Sequence, residues 1–467
     1  MKEQIGIQKI EETAIAGLRT GLRGELVQPD DQGYDEVRKV YNGMIDKRPA
    51  LIARAADAAD VICAVNFARD NEMLLAVRGS GHNGAGLGTN DDGLVIDLSP
   101  MRGVRVNPAA RTVRVEGGAT WGEVDHATHA FGLAVPTGII SSTGVGGLTL
   151  GGGHGYLTRK YGLTIDNLLS ADVVLADGSL VTTSEEAYED LFWAIRGGGG
   201  NFGVVTSFKF KAHPVSTTIG GPTLWPLEQA SEAMRFYRDF MEQASEDVYG
   251  FFAFLKVPPG PPFPEHLHFK TMCAVVWCYA GPPEQAEEVF RPVREFGPPA
   301  FEFLGSMSLP ALNGMFDALF PAGMQWFWKH NFVNELSEES ISLYVEHGSK
   351  IPTLLSAIHL YPLDGAAHQV GEDETAFSYR SARWSAVYVG IDPDPANKDL
   401  IAGWAKDTWE ALHPHWAGGA YVNMTMEEGE DRIRASYRGN YDRLVEVKEK
   451  YDPTNLFSVN QNIKPQG

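Results

Sequence analysis

The sequence predicts an α+β protein made of two unlike parts, and three observations lead to that reading. The chain has 467 residues, more than one ordinary hydrophobic core serves. Up to about residue 216, short apolar runs alternate with helical stretches and glycine-rich turns. From about 218 to 420, amphipathic helices alternate with aromatic-rich strand patterns. Separated strands and helices of this kind predict an antiparallel sheet with helices on one face.

Taken in order, residues 30–70 read as helices, first "DDQGYDEVRKVYNGMID" and then "AADAADVICAVNFARDN", the latter with its apolar residues on one face. Short strands are expected near 73–78, 94–98, 103–107 and 112–116. "WGEVDHATHAF" reads as a helix, and "SADVVLADGSLVTTS" as a hairpin turning at Asp177-Gly178. "YEDLFWAIRGGGGNFG" is a helix stopped by glycine, and "VVTSFKFKAHPV" a strand. Beyond 218, "LEQASEAMRFYRDFMEQAS" is a helix. "YGFFAFLKV", "HFKTMCAVVWCYA", "MQWFWKHNFV", "LLSAIHLYPL" and "SARWSAVYVGI" are strands, and "KVPPGPPFPEH" is a loop. The last stretch, "YDRLVEVKEKYDPTNLFSVNQNIKPQ", is a helix, a turn and a polar tail.

Composition narrows the function. A net charge of -21 disfavours a nucleic-acid partner. No apolar stretch approaches a membrane span, and "MKEQIGIQKIEETAIAGL" lacks the apolar core of a secretion signal, so a cytoplasmic protein is expected. The three cysteines, Cys63, Cys273 and Cys278, form no metal or disulfide framework. The last two read as buried strand residues.

Residues 79–84, "GSGHNG", fit the dinucleotide fingerprint G-x-G-x-x-G. That fingerprint belongs to a strand–turn–helix–strand unit of about 30 residues. "RGSGHNGAGLGTNDD" carries no helical period before the next strand, so the NAD reading fails. Residues 198–203 fit the same pattern but lead into a strand, and a third cluster, "TGVGGLTLGGGHGYL", follows Pro136. Three glycine-rich loops flanked by apolar runs predict backbone closely approaching a long ligand, with N–H groups turned to phosphates.

Together, "VRGSGHNGAGLGTNDDGLVIDLSPM", "TGVGGLTLGGGHGYLTRKYGLTIDNLLSADVVLADG", "DLFWAIRGGGGNFGVVTSFKF" and "YDPTNLFSVNQNIKP" resemble the berberine bridge enzyme-like flavoproteins of the vanillyl-alcohol oxidase superfamily. The resemblance covers about 40–216 and the segment from about 420. It implies a PCMH-type FAD-binding domain of two subdomains over 1–216, with its core about 46–216. A substrate domain over 217–420 and a C-terminal segment over 421–467 that returns to the FAD domain complete the layout. It also implies FAD bonded covalently to His82, which would make that histidine a tether within a pyrophosphate cradle. Many members have a second link from a cysteine; the matching position here is Ile140, so a single tether is expected. Further FAD contacts implied are Arg78, Gly79, Ser80, Gly81, Asn83, Gly138, Ser142, Gly144, Gly147, Gly152, Asp166, Asn167, Gly203, Val205, Asn460 and Asn462.

For chemistry, the resemblance implies an oxidase that moves a hydride from an alcohol or amine carbon to the flavin and delivers the electrons to oxygen, giving hydrogen peroxide. A flavin-dependent oxygenase or cyclase, or a dehydrogenase with another acceptor, is the alternative. The family's Y-x-N motif matches Tyr421 and Asn423, and makes Tyr421 the lead base, acting as a tyrosinate of depressed pKa. Tyr361 is the second candidate, and Trp326, Trp328, Lys329, His154 and Asn423 are candidates to face substrate. Abundant aromatic residues in the substrate half point to a small apolar or aromatic substrate. A monomer or homodimer without a metal is expected.

Overall fold

Strand propensity and glycine placement account for the first layer. In the computed structural model, which describes residues 10–215 and 217–466, a four-stranded sheet has the spatial order Glu25–Val27, Leu51–Arg54, Leu94–Asp97 and Leu75–Arg78. Residues 1–9 of the N-terminal stretch discussed above lie outside the described residues. Leu51–Arg54 and Leu75–Arg78 both run parallel to the central Leu94–Asp97. Ile52, Val95 and Ile96 are fully buried, as apolar runs in parallel strands require. The helix Ala58–Asp70 covers the sheet, and the Asp57 carboxylate caps it by accepting the N–H groups of Ala59 and Asp60. From Leu75–Arg78 to Leu94–Asp97 the chain passes through the first glycine loop with no helix, although the two strands are parallel neighbours.

The helix expected over 30–46 shrinks to Tyr34–Val37. Long-range hydrogen bonds take several of the groups that follow it. Tyr41 N–H donates to Gly81 O, Gly43 N–H to Met324 O, and Asn42 Nδ2 to both Gly84 O and Trp326 O. Residues 40–48 thus form a strap from the glycine loop to the second half, where tertiary bonds outcompete local helix propensity.

A second sheet, all antiparallel, has the order Val104–Asn107, Thr112–Glu116, Val204–Lys211, Leu168–Val174 and Leu180–Ser184. Gly178, at φ 83°, makes the tight turn between the last two, a conformation that glycine takes without strain. Helices Trp121–His129 and Glu189–Ile195 contribute Trp121, Phe192 and Ile195 to its core.

The third sheet has eight strands, and every pairing is antiparallel. Its main order is Phe301–Glu302, Thr218–Pro226, Thr271–Tyr279, Val248–Lys256, Ala357–Pro362, Trp384–Asp392 and Gln325–Val333, with Gly305–Met307 also paired to Thr218–Pro226. Alternation along the strands splits its side chains between two cores. Phe252, Trp277 and Tyr388 pack under helices Ala230–Gln243, Glu338–Ser349 and Lys398–Leu412, through Tyr237, Tyr344 and Trp404. Phe251, Tyr361, Val387 and Val389 point to the opposite side, toward Tyr41, Tyr156 and Leu157 of the first half. Cys273 and Cys278 are free and buried in this sheet.

The C-terminal helix Tyr441–Tyr451 turns back onto the second sheet, where Leu444, Val445, Tyr451 and Ile463 join its core. A fully buried ion pair anchors the return. Lys448 Nζ donates to Asp452 Oδ2 (2.6 Å), Asn201 O (2.8 Å) and Phe457 O (3.0 Å), while the Asp452 carboxylate accepts the N–H groups of Leu456 and Phe457. Removing one partner leaves the other charge buried and unpaired. Asp452→Ala is expected to cost about 3–5 kcal/mol, measured by urea unfolding of the full chain.

Candidate active site

One cavity of about 690 Å³ lies between the first half and the free face of the large sheet. Its walls at one end are the three glycine loops. The first contributes Arg78 to Asn83, starting at the carboxyl end of Leu75–Arg78. Arg78 Nη2 donates to Asp97 Oδ2 at 2.9 Å, which satisfies both buried charges. Gly81 takes φ 76° within this loop. The second contributes Gly138, Thr143, Gly144 and Gly147, and the third Gly199, Gly200, Asn201, Gly203 and Val205. The first two loops touch: a Cβ on Gly144 would stand 2.5 Å from Ser80 Oγ. Asn460 and Gln461 of the tail close this end.

At the other end the wall is apolar. Phe251, Leu255, Phe316, Trp326, Trp328, Val387 and Ile391 line it, beside Tyr361, His359, His154, Tyr421 and Asn423. Among the described residues, no carboxylate lines the cavity, and Arg78 and Lys256 are its only permanently charged side chains. Low polarity strengthens every remaining hydrogen bond there.

His82 sits in the first loop with its ring stacked on Tyr41 at 3.8 Å between centroids. Its Nε2 bonds Ser142 Oγ at 3.1 Å, which leaves Nδ1 free. Burial pushes the imidazole pKa down to about 4, so the ring is neutral and nucleophilic. Ser142 itself does not line the cavity; it holds the histidine.

Four other residues expected against the cofactor lie off the cavity wall. Both Asp166 oxygens bind Arg380, at 2.7 and 2.8 Å, and Asp166 also caps Leu163 N–H. Asn167 is consumed by the carbonyls of Tyr161 and Leu163 and by His213 Nε2. Gly152, at φ 133°, packs against Phe377 and Tyr421. Asn462 lies behind the wall with its Oδ1 buried and unpartnered. Lys329 also leaves the site, turning to Glu428 at 3.0 Å and over Trp409, because neighbouring strand residues face opposite ways.

Tyr421 is fully enclosed. Its hydroxyl oxygen accepts Gly153 N–H and Asn423 Nδ2–H, both at 2.8 Å. Burial nevertheless pushes its pKa up to about 12, and no cation stands against it, so the depressed tyrosinate expected from the sequence is not what this pocket provides. Tyr361 differs in having an acceptor: its hydroxyl lies 2.6 Å from His359 Nδ1. Burial pushes His359 down to about 4 and raises Tyr361, so both are neutral at pH 7. His359 was missed in the sequence, as was Tyr41; a lone histidine in "SAIHLYPL" gives no signal until the strand's exposed face is known.

Bare glycine loops round one end of a long cavity, with an apolar chamber at the other, define a protein that binds an elongated cofactor beside a small-molecule substrate. Comparison with known proteins gives the class. A family described as FAD binding domain matches residues 49–184, and one described as Berberine and berberine like matches residues 420–464. An FAD-linked oxidoreductase of Dictyostelium discoideum is 33% identical over 449 residues, covering 95% of each chain. (R)-6-hydroxynicotine oxidase of Paenarthrobacter nicotinovorans is 29% identical over 463 residues, covering 96% of this chain and 98% of its own. The solved structure of 6-hydroxy-D-nicotine oxidase from Arthrobacter nicotinovorans superposes with a TM-score of 0.86 at 27% identity, covering 95% of this chain and 98% of that one. The chain belongs to the berberine bridge enzyme-like FAD-linked oxidoreductases. It is an FAD-dependent oxidoreductase.

The wall fits FAD. A Cβ on Gly147 or on Gly200 would meet nothing within 4 Å, so the backbone there faces open space for a ligand. Asn460 Oδ1 is buried without a partner at the same end. Gly147 lies inside the helix Val145–Gly151, where leucine is a better helix former than glycine. Gly147→Leu is therefore expected to fold normally while lowering FAD affinity about tenfold or more, measured as flavin absorbance per polypeptide beside the melting temperature.

The buried histidines also set a pH dependence. His154 and His359 are held down to about 3 and about 4 in the fold, against 6.5 in the unfolded chain. Below 6.5 the unfolded chain takes up protons that the folded one refuses, so stability falls with falling pH down to those values. Each ring contributes a slope of up to about 1.4 kcal/mol per pH unit. Urea midpoints at about pH 7 and about pH 5 are expected to differ accordingly, and His154→Phe to reduce the difference.

Proposed function

We propose that the protein oxidises an alcohol or amine carbon of a small apolar or aromatic substrate, with FAD tethered through His82 alone and oxygen as electron acceptor, giving hydrogen peroxide. The observation that carries this is the continuity of one cavity from the glycine loops to the apolar sheet face. Relatives named as oxidases of hydroxynicotine support it.

FAD, when bound, supplies the hydride acceptor and the route to oxygen. The protein orients the substrate and handles the proton. Phe251, Trp328 and Val389 exclude water and hold an apolar body. Tyr361 takes the substrate's hydroxyl proton while passing its own to His359 Nδ1, so no ionised tyrosine is needed in the resting site. Tyr421 and Asn423 then act as positioning residues. The Tyr421 hydroxyl holds Gly153, and Asn423 Nδ2 bridges that hydroxyl and Leu148 O.

The side chains around His82 support the single tether. Its Nδ1 is the unpaired nitrogen, Ser142 and Tyr41 fix the ring, and Ile140 rather than a thiol lines the second loop. None of the three cysteines reaches the cavity wall.

Tyr361→Phe is expected to lower kcat by about a hundredfold with little change in KM, checked by steady-state kinetics once a substrate is found. Acid-denatured protein is expected to retain its flavin, with the added mass on the His82 peptide only. Release of the flavin would remove the tether from this reading, and a second modified peptide would remove its singleness. Oxygen uptake matched by peroxide supports the oxidase. Turnover only with an artificial acceptor would leave a dehydrogenase, and labelled oxygen in the product an oxygenase.

A further inference from the structure

The cavity does not end at Tyr361 and His359. The strand Val248–Lys256 turns every second side chain toward it, Phe251, Ala253 and then Leu255. Register places Ala253 between His359 of one neighbouring strand and Ala274 of the other, and Leu224 lies beyond Ala274. Two methyl groups therefore separate His359 from Leu224. The flanking rows carry larger side chains, Phe251 and Val276 on one side and Leu255 and Met272 on the other. The sheet face is lowest along the alanine row, and the cavity extends past it: Leu224, Leu255, Pro259, Pro262, Phe263 and Phe303 all line its wall. Phe303 is 48% exposed, so here the cavity meets solvent.

The rim of that opening has almost no hydrogen-bond donor to offer. It is built from residues 257–263, "VPPGPPF". Residues 258, 259, 261 and 262 are prolines and have no N–H. The other three N–H groups turn to the protein: Val257 donates to Lys270 O, Phe263 to Gly260 O, and Gly260 N–H points at His268 Nε2 at 3.2 Å. Phe303 N–H donates to Pro222 O. No side chain from 258 to 263 carries a polar atom, and Lys256 is the one charged residue on this stretch of the wall. A sugar needs donors as well as acceptors along its length, because its hydroxyls do both. An apolar chain needs neither.

We propose that the substrate is elongated, with its reacting carbon at Tyr361 and His359 and an apolar tail that runs over Ala253 and past Leu255 to the proline rim and Phe303. This rests on reading the sheet end of the cavity as the substrate chamber. The tail is held by shape and burial rather than by hydrogen bonds. Each methylene that leaves water for the space beside Leu224, Leu255 and Phe263 adds to binding. The prolines suit this use, because a rim of fixed φ loses little freedom when a ligand packs on it. Affinity then rises with the length of the tail until the tail emerges at Phe303.

The test uses the flavin-loaded full chain and reads binding without turnover, from shifts of the flavin spectrum. The probes are acetophenone, butyrophenone, hexanophenone and octanophenone, which share one head and are neutral, so that Lys256 does not favour any of them. Kd is expected to fall about two- to fourfold for each added methylene. Phe303→Ser, at an exposed position, and Leu255→Ala are each expected to weaken octanophenone about fivefold or more and to change acetophenone by less than about twofold. Melting temperatures show that both variants are folded. A Kd that does not fall with chain length overturns the passage, as does a fall that is equally steep in the wild type and both variants, which would be unspecific partition. Cellobiose is expected to leave the spectrum unchanged, and a disaccharide that binds as tightly as octanophenone overturns the apolar rim. If acetophenone binds and the longer ketones do not, the chamber stands and the passage falls alone. If none of the four perturbs the flavin, the chamber reading falls and takes the passage with it.

Discussion

Tyr421 is held at both ends, and the geometry of the site depends on that hold. Its N–H fixes the His330 ring, on the large sheet, and its hydroxyl accepts Gly153 N–H, on the second glycine loop. One residue of the returning segment therefore sets the distance between the loop and the sheet. Asn42 does the same from the other side, bonding Gly84 O and Trp326 O. Arg159 makes a third tie, with its guanidinium spread over Asp364 and the carbonyls that end the Ala230–Gln243 helix. A buried hydrogen bond contributes only about 1 kcal/mol net, yet leaving such a donor unmet costs about 1–3 kcal/mol. The ties therefore act less by adding stability than by making every other spacing of the two halves worse.

Among the described residues, the wall between those ties has no carboxylate, and this shapes the available chemistry. Burial is then the largest influence on the protonation states: the histidines stay neutral, and the tyrosines stay protonated even where, as at Tyr421, hydrogen bonds pull the other way. A site of this kind moves protons between neutral groups rather than through a standing ion pair. Direction then has to come from fixed donors, and backbone N–H groups are the most rigid ones available. Hence the contrast between His330, which a backbone donor pins, and His359, which a rotatable hydroxyl faces.

Local signals were legible in the sequence. The strands with apolar runs, the Asp177-Gly178 turn and the first and third glycine loops announce themselves by residue type within a few positions and form where expected, whereas the second glycine cluster, read as a loop, folds into the helix Val145–Gly151. What local pattern could not supply at 30–46, Asp166 and Tyr421 has one cause, which is distance along the chain. The 30–46 stretch has helical periodicity, but Asn42 spends its hydrogen bonds on residues 42 and 284 positions away. Asp166 and Asn167 sit inside a motif that suggested cofactor contact, yet the partner that claims Asp166 is Arg380, 214 positions on. The missing tyrosinate is the same lesson in electrostatics. Sequence shows that a tyrosine is present, whereas its pKa depends on which charges the fold brings near, and here it brings none.

The cofactor end leaves some polar groups unmet by protein. Asn460 Oδ1 is buried without a partner, and the glycine backbones at 147 and 200 face open space. A chain does not gain stability from such groups by itself. They make sense when folding and cofactor binding are counted together, because a ligand bound only by the folded state adds its binding free energy to folding. The tail that carries Asn460 is also the part held by the buried Lys448–Asp452 pair, so the element that closes over the ligand is secured independently of it. That division lets the glycine loops stay open and polar without loosening the fold around them.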